Sequence, residues 1–245
     1  MKLNFIGVSD PGLIRSNNQD AHYIDDPGGR FFIVADGMGG HAGGEEASRI
    51  ATHEIQAYLV ANWQSSQSSQ ELLVQALWKA NEGILHDQQN HPERADMGTT
   101  AVVVLFREPE SPWCAHVGDS RLYRLRKSQL EQITEDHTWV ARAIKLGDIT
   151  VEEARIHPFR HVLSRCLGRE DLHQIDVQPL DVQIGDRLLL CTDGLTEELV
   201  DHKISAIMQN NPSVDKAVFS LIAAAKSEGG HDNITVVIIA VEDQD

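Results

Sequence analysis

Acidic residues recur beside apolar runs of strand length, each next to a glycine or an asparagine. They are Asp36 in FFIVADG, Asp119 in AHVGDS, Asp193 in RLLLCTDG and Asp232 in the DN pair before ITVVIIA. Strands that end at one rim of a sheet layer would bring these carboxylates together, and four uncompensated anions would repel by roughly several kcal/mol. Divalent cations would remove that repulsion. A single Asp-Gly pair is typical of an ordinary turn, so only the repetition favours a metal site.

The ligand types indicate which metal such a site would take. Carboxylate oxygens without cysteine or a clear histidine pair favour Mg²⁺ or Mn²⁺ over zinc. Gly37 has no Cβ, so its backbone can approach a metal-bound water or offer its carbonyl oxygen as a ligand. In the N-terminal loop, the planar guanidinium of Arg15 matches phosphate oxygens, and Asp20, five positions on, would support a metal. Taken alone, an arginine and an aspartate in a loop more often form a surface ion pair.

Other motifs suggest different chemistry. The loop 37–42, GMGGHA, also matches the dinucleotide-binding pattern G-x-G-x-x-A. Asp36 disfavours that interpretation because it would place an anion beside the pyrophosphate. His157 and His161 have the spacing of helical metal ligands, but Pro158 interrupts a helix there. His41 is a candidate proton donor to a leaving alkoxide, or it caps the next helix or faces solvent.

Regular elements must position these residues. Continuous apolar runs predict buried strands at 31–35, 101–106, 187–191 and 234–240, and residues 113–125 predict two short strands joined by a tight turn. Helical spacing predicts three helices, over Ala47–Leu59, Leu73–Ile84 and Val214–Ala225, the last ending at Gly229 and Gly230. Residues 65–70 predict a connecting loop, with the second helix beginning near Ser69 or Gln70. Residues 139–172 predict an excursion outside the main layers.

Composition limits the class of protein. A chain of 245 residues that is 41% hydrophobic predicts one domain over residues 1–245. The net charge of -16, from 37 acidic and 21 basic residues, disfavours nucleic acid and anionic membranes as partners. Three cysteines without C-x-x-C spacing predict structural thiols. Since no apolar run is long enough for a signal peptide or a membrane span, we expect a soluble, cytoplasmic monomer.

Together these motifs resemble the metal-dependent protein serine/threonine phosphatases of type 2C, especially the compact bacterial members. The match is ordered and spans nearly the whole chain. It comprises Arg15-x-x-Asn18-x-Asp20, Val34-Ala35-Asp36-Gly37-Met38-Gly39-Gly40, Gly98-Thr99-Thr100, Gly118-Asp119-Ser120-Arg121, Thr192-Asp193-Gly194 and Asp232-Asn233. The resemblance implies an α+β fold: a four-layer αββα sandwich in which helices flank two antiparallel β-sheets. Residues 139–172 would then form the variable flap beside the site.

The resemblance also implies a role for each ligand at one edge of the sandwich. Asp36 would bridge two metals, and Asp193 and Asp232 would complete the first. Asp20 and the Gly37 carbonyl would help to hold the second. Asp119 would share a weaker third metal with Asp193, so that two or three Mg²⁺ or Mn²⁺ ions bind per chain.

The implied reaction is hydrolysis of phosphoserine or phosphothreonine by a hydroxide that bridges two metals, while Arg15 orients the phosphate. Many eukaryotic members carry Asp-Gly-His-Gly, whereas this chain has Met38 in place of that histidine. The proton donor is therefore either His41 or a metal-bound water. Likeness to cyanobacterial members implies a phosphorylated signalling protein, such as the nitrogen regulator P-II, as substrate. A catalytically silent binding module is the competing hypothesis, but such a relative would be expected to lose metal carboxylates, and this chain keeps them all.

Overall fold

The computed structural model describes residues 1–40 and 43–243. Its strands are β1 (Lys2–Asp10), β2 (Asp20–Ile24), β3 (Phe31–Met38), β4 (Gly98–Thr99), β5 (Ala101–Leu105), β6 (Trp113–Val117), β7 (Arg121–Arg126), β8 (Gln129–Gln132), β9 (Asp176–Pro179), β10 (Arg187–Cys191) and β11 (Ile234–Glu242). Its helices are α1 (Gly43–Asn62), α2 (Ser69–Asn90), α3 (Trp139–Leu146), α4 (Val151–Ile156), α5 (Asp193–Thr196), α6 (Asp201–Asn210) and α7 (Val214–Glu228).

The strands form two sheets in which every pairing is antiparallel. One sheet has the order β1-β11-β10-β7-β8, and the other has the order β2-β3-β5-β6-β9, with β4 added beside β3. The four long apolar runs coincide with β3, β5, β10 and β11, the strands whose residues are almost all buried. The predicted pair within 113–125 is β6 and β7, which lie in different sheets, so the tight turn between them crosses the sandwich rather than closing a hairpin.

Three apolar layers hold the sheets and helices together. Between the sheets, side chains such as Phe32, Val104 and Leu188 form a common core. Helices α1 and α2 cover the outer face of the β3 sheet, and α6 and α7 cover the outer face of the β10 sheet. The predicted four-layer αββα sandwich is therefore confirmed. Cys114 and Cys191 lie in strands and Cys166 lies within residues 139–172; all three are free and buried, as expected of structural thiols.

Local signals fix the helix ends. Ser68 caps α2: its hydroxyl accepts from the Glu71 N–H, and the Glu71 side chain accepts from the Ser68 N–H. This places the helix start at Ser69, as predicted. Helix α7 ends at Gly229, also as predicted. Within the described part of the chain, no helix is long and apolar enough to cross a membrane.

The predicted excursion contains two short capped helices. Thr138 caps α3, which ends at Gly147 in the left-handed conformation with φ 79°. Thr150 and Glu153 form a capping box at the start of α4. We call residues 139–172 the flap. It carries large exposed apolar side chains, including those of Ile156 and Phe159, so most of its surface lies outside the sandwich core.

A buried side chain in the layer between the sheets should contribute more to the free energy of unfolding than an exposed side chain on the surface of a helix. Leu188 is 1% exposed, and Leu188→Ala would leave a cavity between the sheets. We expect this change to lower the free energy of unfolding by about 2 to 5 kcal/mol. Phe219→Ala on α7, where the side chain is 58% exposed, should change it by less than about 0.5 kcal/mol. Urea unfolding of both variants measures the difference, and similar losses would contradict the assigned layers.

Candidate metal centre

Two of the predicted carboxylates lie directly opposite each other across neighbouring strands. Asp20 begins β2 and Asp36 lies in β3, and the register pairs the two residues. Directly opposed side chains on a sheet share one face, so like charges at these positions repel. Burial raises the pKa of Asp20 to about 7. Burial and the neighbouring Asp20 charge raise the pKa of Asp36 well above its usual range.

The remaining carboxylates approach from loops at the same rim. Asp193 follows β10 at the start of α5, Asp232 precedes β11, and Asp119 follows β6. The charges of Asp193 and Asp119 both raise the pKa of Asp36, after burial and the charge of Asp20. Burial and the charge of Asp193 raise the pKa of Asp119. Both sheets therefore contribute to one carboxylate cluster, as the sequence pattern predicts.

Two oxygens of the cluster lack protein partners. Asp20 Oδ1 and Asp193 Oδ1 are buried and accept no hydrogen bond from any described residue. A buried, unsatisfied carboxylate oxygen is costly, and the raised pKa values have the same physical cause. A divalent cation would satisfy these atoms and neutralise the repulsion. Because every donor is an oxygen, the set fits Mg²⁺ or Mn²⁺.

The second oxygen of Asp20 joins the two sheets. Asp20 Oδ2 accepts hydrogen bonds from Thr192 Oγ1 at 2.9 Å and from Thr235 Oγ1 at 2.7 Å. Both threonines belong to the other sheet or its edge, and the Thr235 N–H in turn donates to Thr192 Oγ1 at 3.0 Å. These bonds leave Oδ1 as the oxygen available to a metal. The sequence motif included Thr192 but gave it no role, and Thr235 was missed.

Hydroxyl groups also fix the backbone of Asp36. Its N–H donates to Thr100 Oγ1 at 3.0 Å, and its carbonyl oxygen accepts from the Thr100 N–H and from Thr99 Oγ1. Thr100 Oγ1 lies 2.6 Å from Ser120 Oγ. Ser120 follows Asp119, so one chain of hydrogen bonds connects the turn carrying Asp119 to the strand carrying Asp36. This gives the Gly-Thr-Thr and Gly-Asp-Ser motifs a physical reason.

Gly37 is required by packing. A Cβ at this position would lie 1.9 Å from the Gly44 carbonyl oxygen at the start of α1. Helix α1 therefore lies against β3 more closely than any side chain at Gly37 would allow. The Gly37 N–H donates to the Gln19 carbonyl oxygen. The close approach of α1 is thus a second reason for glycine at position 37, in addition to the ligand role inferred from the sequence.

Arg15 lies at the rim of the cluster. Its Nη2 donates to Asp232 Oδ2 at 2.7 Å, and its side chain is 53% exposed. Asp232 Oδ1 accepts from the N–H of Asn233. Arg15 thus contacts one of the predicted metal ligands and also lines the cleft. Among the residues described, it donates no other hydrogen bond.

The cluster lies in an open cleft of about 1940 Å³ between the sandwich edge and the flap. The flap contributes His161, which pairs with Glu197 close to Asp193. Burial and the charge of Asp193 raise the pKa of Glu197 to about 7. No motif or spacing in the sequence pointed to Glu197. His157 stacks instead on Trp139 at 4.7 Å, so the two histidines do not form the helical metal pair that their spacing suggests.

The strand directions around Asp36 exclude a dinucleotide-binding unit. Strand β3 pairs antiparallel with both β2 and β5, whereas such a unit needs parallel strands linked through a helix. The glycine loop after Asp36 therefore serves a different purpose. His41 of this loop, the candidate proton donor, lies outside the described residues 1–40 and 43–243.

Comparisons with known proteins agree with this arrangement. The family model described as Protein phosphatase 2C matches residues 15–233. The serine/threonine protein phosphatase PstP of Mycobacterium tuberculosis is 37% identical over 246 residues, covering 99% of this chain and 46% of that protein. This chain thus spans about half the length of that relative. The protein phosphatase PhpP of Streptococcus pneumoniae is 34% identical over 242 residues, covering 97% of each chain.

A solved structure gives the same result in three dimensions. The catalytic domain of PstP in complex with two manganese ions superposes with a TM-score of 0.84 at 35% identity, over 98% of this chain and 99% of that one. The family match over residues 15–233 agrees with the ordered motifs, with the αββα sandwich and with the carboxylate cluster. This chain therefore belongs to the protein phosphatase 2C family.

Proposed function

We propose that this chain is a metal-dependent phosphatase that hydrolyses phosphoserine and phosphothreonine in proteins. The observation that carries the proposal is the carboxylate cluster, in which the buried oxygens Asp20 Oδ1 and Asp193 Oδ1 accept no hydrogen bond from any described residue. Asp36, Asp119 and Asp193 of this cluster line an open cleft. The names of the relatives, serine/threonine protein phosphatases, support the substrate class. A silent binding module would have no need to bury repelling carboxylates that a bound cation would compensate.

The proposed ligands divide between two principal metals and a weaker third. Asp36 is assigned the central place because it lies opposite Asp20 across β2 and β3 and the charges of Asp193 and Asp119 also act on it. Asp193 and Asp232 would complete the first site, and Asp20 Oδ1 with the Gly37 carbonyl would hold the second. Asp119 would share the third with Asp193. Bound Mg²⁺ or Mn²⁺ supplies activation of water and neutralisation of phosphate charge.

The protein supplies position and rigidity. Thr100 and Ser120 fix the Asp36 backbone relative to the turn of Asp119. The exposed Arg15 guanidinium can receive phosphate oxygens in a forked geometry at the rim of the cluster. Asp232 keeps it oriented toward the site. These groups are in place before substrate arrives, which lowers the entropic cost of reaching the reactive geometry.

Finer points stay predictions. They include P-II as the substrate, a single domain, the monomeric state, a cytoplasmic location and the exclusion of nucleic acid and membrane as partners. The flap, which forms one wall of the cleft, is the part of the chain best placed to select among phosphoproteins. The proton donor stays open between His41 and a metal-bound water.

The first test removes one carboxylate charge at the cluster. Asp193→Asn preserves volume but withdraws the anionic oxygens, so we expect Mn²⁺-dependent hydrolysis of a phosphothreonine peptide to fall by about 100-fold or more. Asp181→Asn is the matched control because Asp181 is 64% exposed and pairs with Arg126. The control should keep its activity. Undiminished hydrolysis by Asp193→Asn, or wild-type activity in chelator, would contradict the proposal.

The second test uses the raised pKa of Asp20. An unfolded aspartate titrates near pH 4, whereas folding raises the pKa of Asp20 to about 7. Its contribution to stability is therefore complete below about pH 4 and is lost as the pH rises through 7. In chelator, Asp20→Asn should be more stable than wild type at pH 8 by roughly 1 to 3 kcal/mol, and this advantage should shrink toward pH 5.

Urea unfolding at several pH values measures this difference. Mn²⁺ should reverse it at pH 8, because the wild-type carboxylate binds the ion and asparagine binds it poorly. A difference between the variants that does not change with pH or with Mn²⁺ would show that Asp20 is an ordinary buried side chain.

A further inference from the structure

His137 is a buried histidine at the root of the flap, between β8 and α3, and is 3% exposed. Its backbone N–H donates to the Gly118 carbonyl oxygen at 3.0 Å. The Gly118 N–H donates in return to His137 Nδ1 at 3.1 Å. Both backbone polar groups of the residue before Asp119 are therefore bonded to one histidine.

A returning segment of the flap, residues 163–164, meets the start of the flap at His137. The His137 carbonyl oxygen accepts from the Ser164 N–H at 2.8 Å. Next to it, Thr138 forms an isolated bridge with Leu163. The segment that enters the flap and the segment that returns from it thus lie side by side at His137. A displacement of either segment would also displace the carbonyl and amide of Gly118, which are bonded to His137.

The hydrogen bonds fix the state of the imidazole ring. Because Gly118 donates to Nδ1, that atom carries a lone pair and the ring proton lies on Nε2. His137 Nε2 then donates to Asp176 Oδ2 at 3.1 Å, and Arg165 donates to Asp176 Oδ1 at 2.8 Å. Burial, together with His116 and Arg165, lowers the pKa of His137 to about 4. The ring is neutral near pH 7 and keeps this single orientation.

The same bonds argue against a metal at this place, although ligand atoms of His116, His137 and Asp176 lie within 4.8 Å of one another. A metal on His137 Nε2 would require the ring proton on Nδ1, where the Gly118 N–H already donates. His116 Nε2 bonds to the Glu135 carbonyl oxygen, so it too carries a proton. The cationic Arg165 already neutralises Asp176.

The Gly118–Asp119 turn, which His137 holds, has little freedom to adopt another backbone conformation. Gly118 has φ 105°, and a Cβ there would lie 2.5 Å from Thr100 Cγ2. On the far side of Asp119, Ser120 bonds to Thr100. The position of Asp119 is therefore set by Thr100 on one side and by His137 on the other.

We propose that His137 is a positioning residue: it holds the Gly118–Asp119 turn in register with the attached flap and so sets the affinity of the metal site that Asp119 serves. The inference rests on the proposed function for the Asp119 carboxylate. It couples the segment best placed to contact substrate with the weakest proposed metal, through the imidazole of one neutral histidine.

Two substitutions of similar size separate the bond of His137 to Gly118 from its bond to Asp176. In His137→Asn the side-chain oxygen can take the place of Nδ1 and still accept from Gly118, whereas His137→Gln can reach Asp176 but loses that acceptor. We expect His137→Gln to weaken binding of the most weakly bound Mn²⁺ by about 10-fold, measured by calorimetric titration, and His137→Asn, which keeps the Gly118 bond but gives up the Asp176 bond, to weaken it by no more than about 3-fold. His116→Asn is the matched control, since His116 stacks on His137 at 4.5 Å but does not bond to Gly118.

A double-mutant cycle then tests whether the effect passes through Asp119. In the Asp119→Asn background, His137→Gln should change Mn²⁺ affinity no further. If His137→Gln does not fold, as judged by circular dichroism, Arg165→Met replaces it in the cycle, because it releases Asp176 from a partly exposed position. Arg165→Met should weaken Mn²⁺ binding at the same site by about 3-fold, a smaller loss of affinity than the one expected for His137→Gln.

The outcomes distinguish this inference from the proposed function. Equal Mn²⁺ affinities for the asparagine and glutamine variants, or additive effects in the cycle, would overturn the role of His137 while leaving the metal-dependent activity intact. Absence of Mn²⁺-dependent hydrolysis in the wild-type chain would instead overturn the function on which the inference rests.

Discussion

Repulsion among carboxylates is the constraint on which this molecule depends. Asp20 and Asp36 face each other across β2 and β3, and Asp193 reaches them from the opposite sheet. Charges this close in a partly desolvated site oppose folding unless protons or cations compensate them. The apolar layer between the sheets supplies the stability that keeps them together. A core that stabilises the fold thus also maintains an arrangement that is unfavourable until a metal binds.

Hydroxyl side chains hold the carboxylates in this arrangement without adding charge. Thr192 and Thr235 bond to one oxygen of Asp20, and Thr100 bonds to the Asp36 backbone. A lysine or arginine in their place would neutralise the cluster and compete with a cation. Arg15 lies at the rim and is largely exposed. The donors that hold Asp20 and Asp36 are therefore neutral, and the cationic Arg15 lies at the rim, where a phosphate would enter.

The sequence predicted the parts of the fold whose signal is local. Strands buried on both faces, such as β10 and β11, show as continuous apolar runs. By contrast, β1 lies at a sheet edge and its residues are mostly half-buried, and α6 buries only Ile204 and Met208. Neither element therefore shows a regular spacing of apolar residues in the sequence. Asp36, Asp119, Asp193 and Asp232 were found because each accompanies a strand in a repeated pattern, whereas Asp20 was singled out in the N-terminal loop with Arg15. The network of His137 was not found, since its partners Gly118 and Asp176 lie 19 and 39 residues away and no motif links either of them to His137.

The pairing of β1 with β11 has a consequence for how the protein is made. Lys2 pairs with Glu242 and Asp10 with Ile234, and β11 lies between β1 and β10. During synthesis on the ribosome, β1 emerges first but must wait, without its neighbour, until the last strand is available. Arg15 and Asp232, 217 residues apart, meet only then. A nascent chain therefore cannot acquire a complete metal site before its C-terminal strand has left the exit tunnel, and contacts of such long range slow folding.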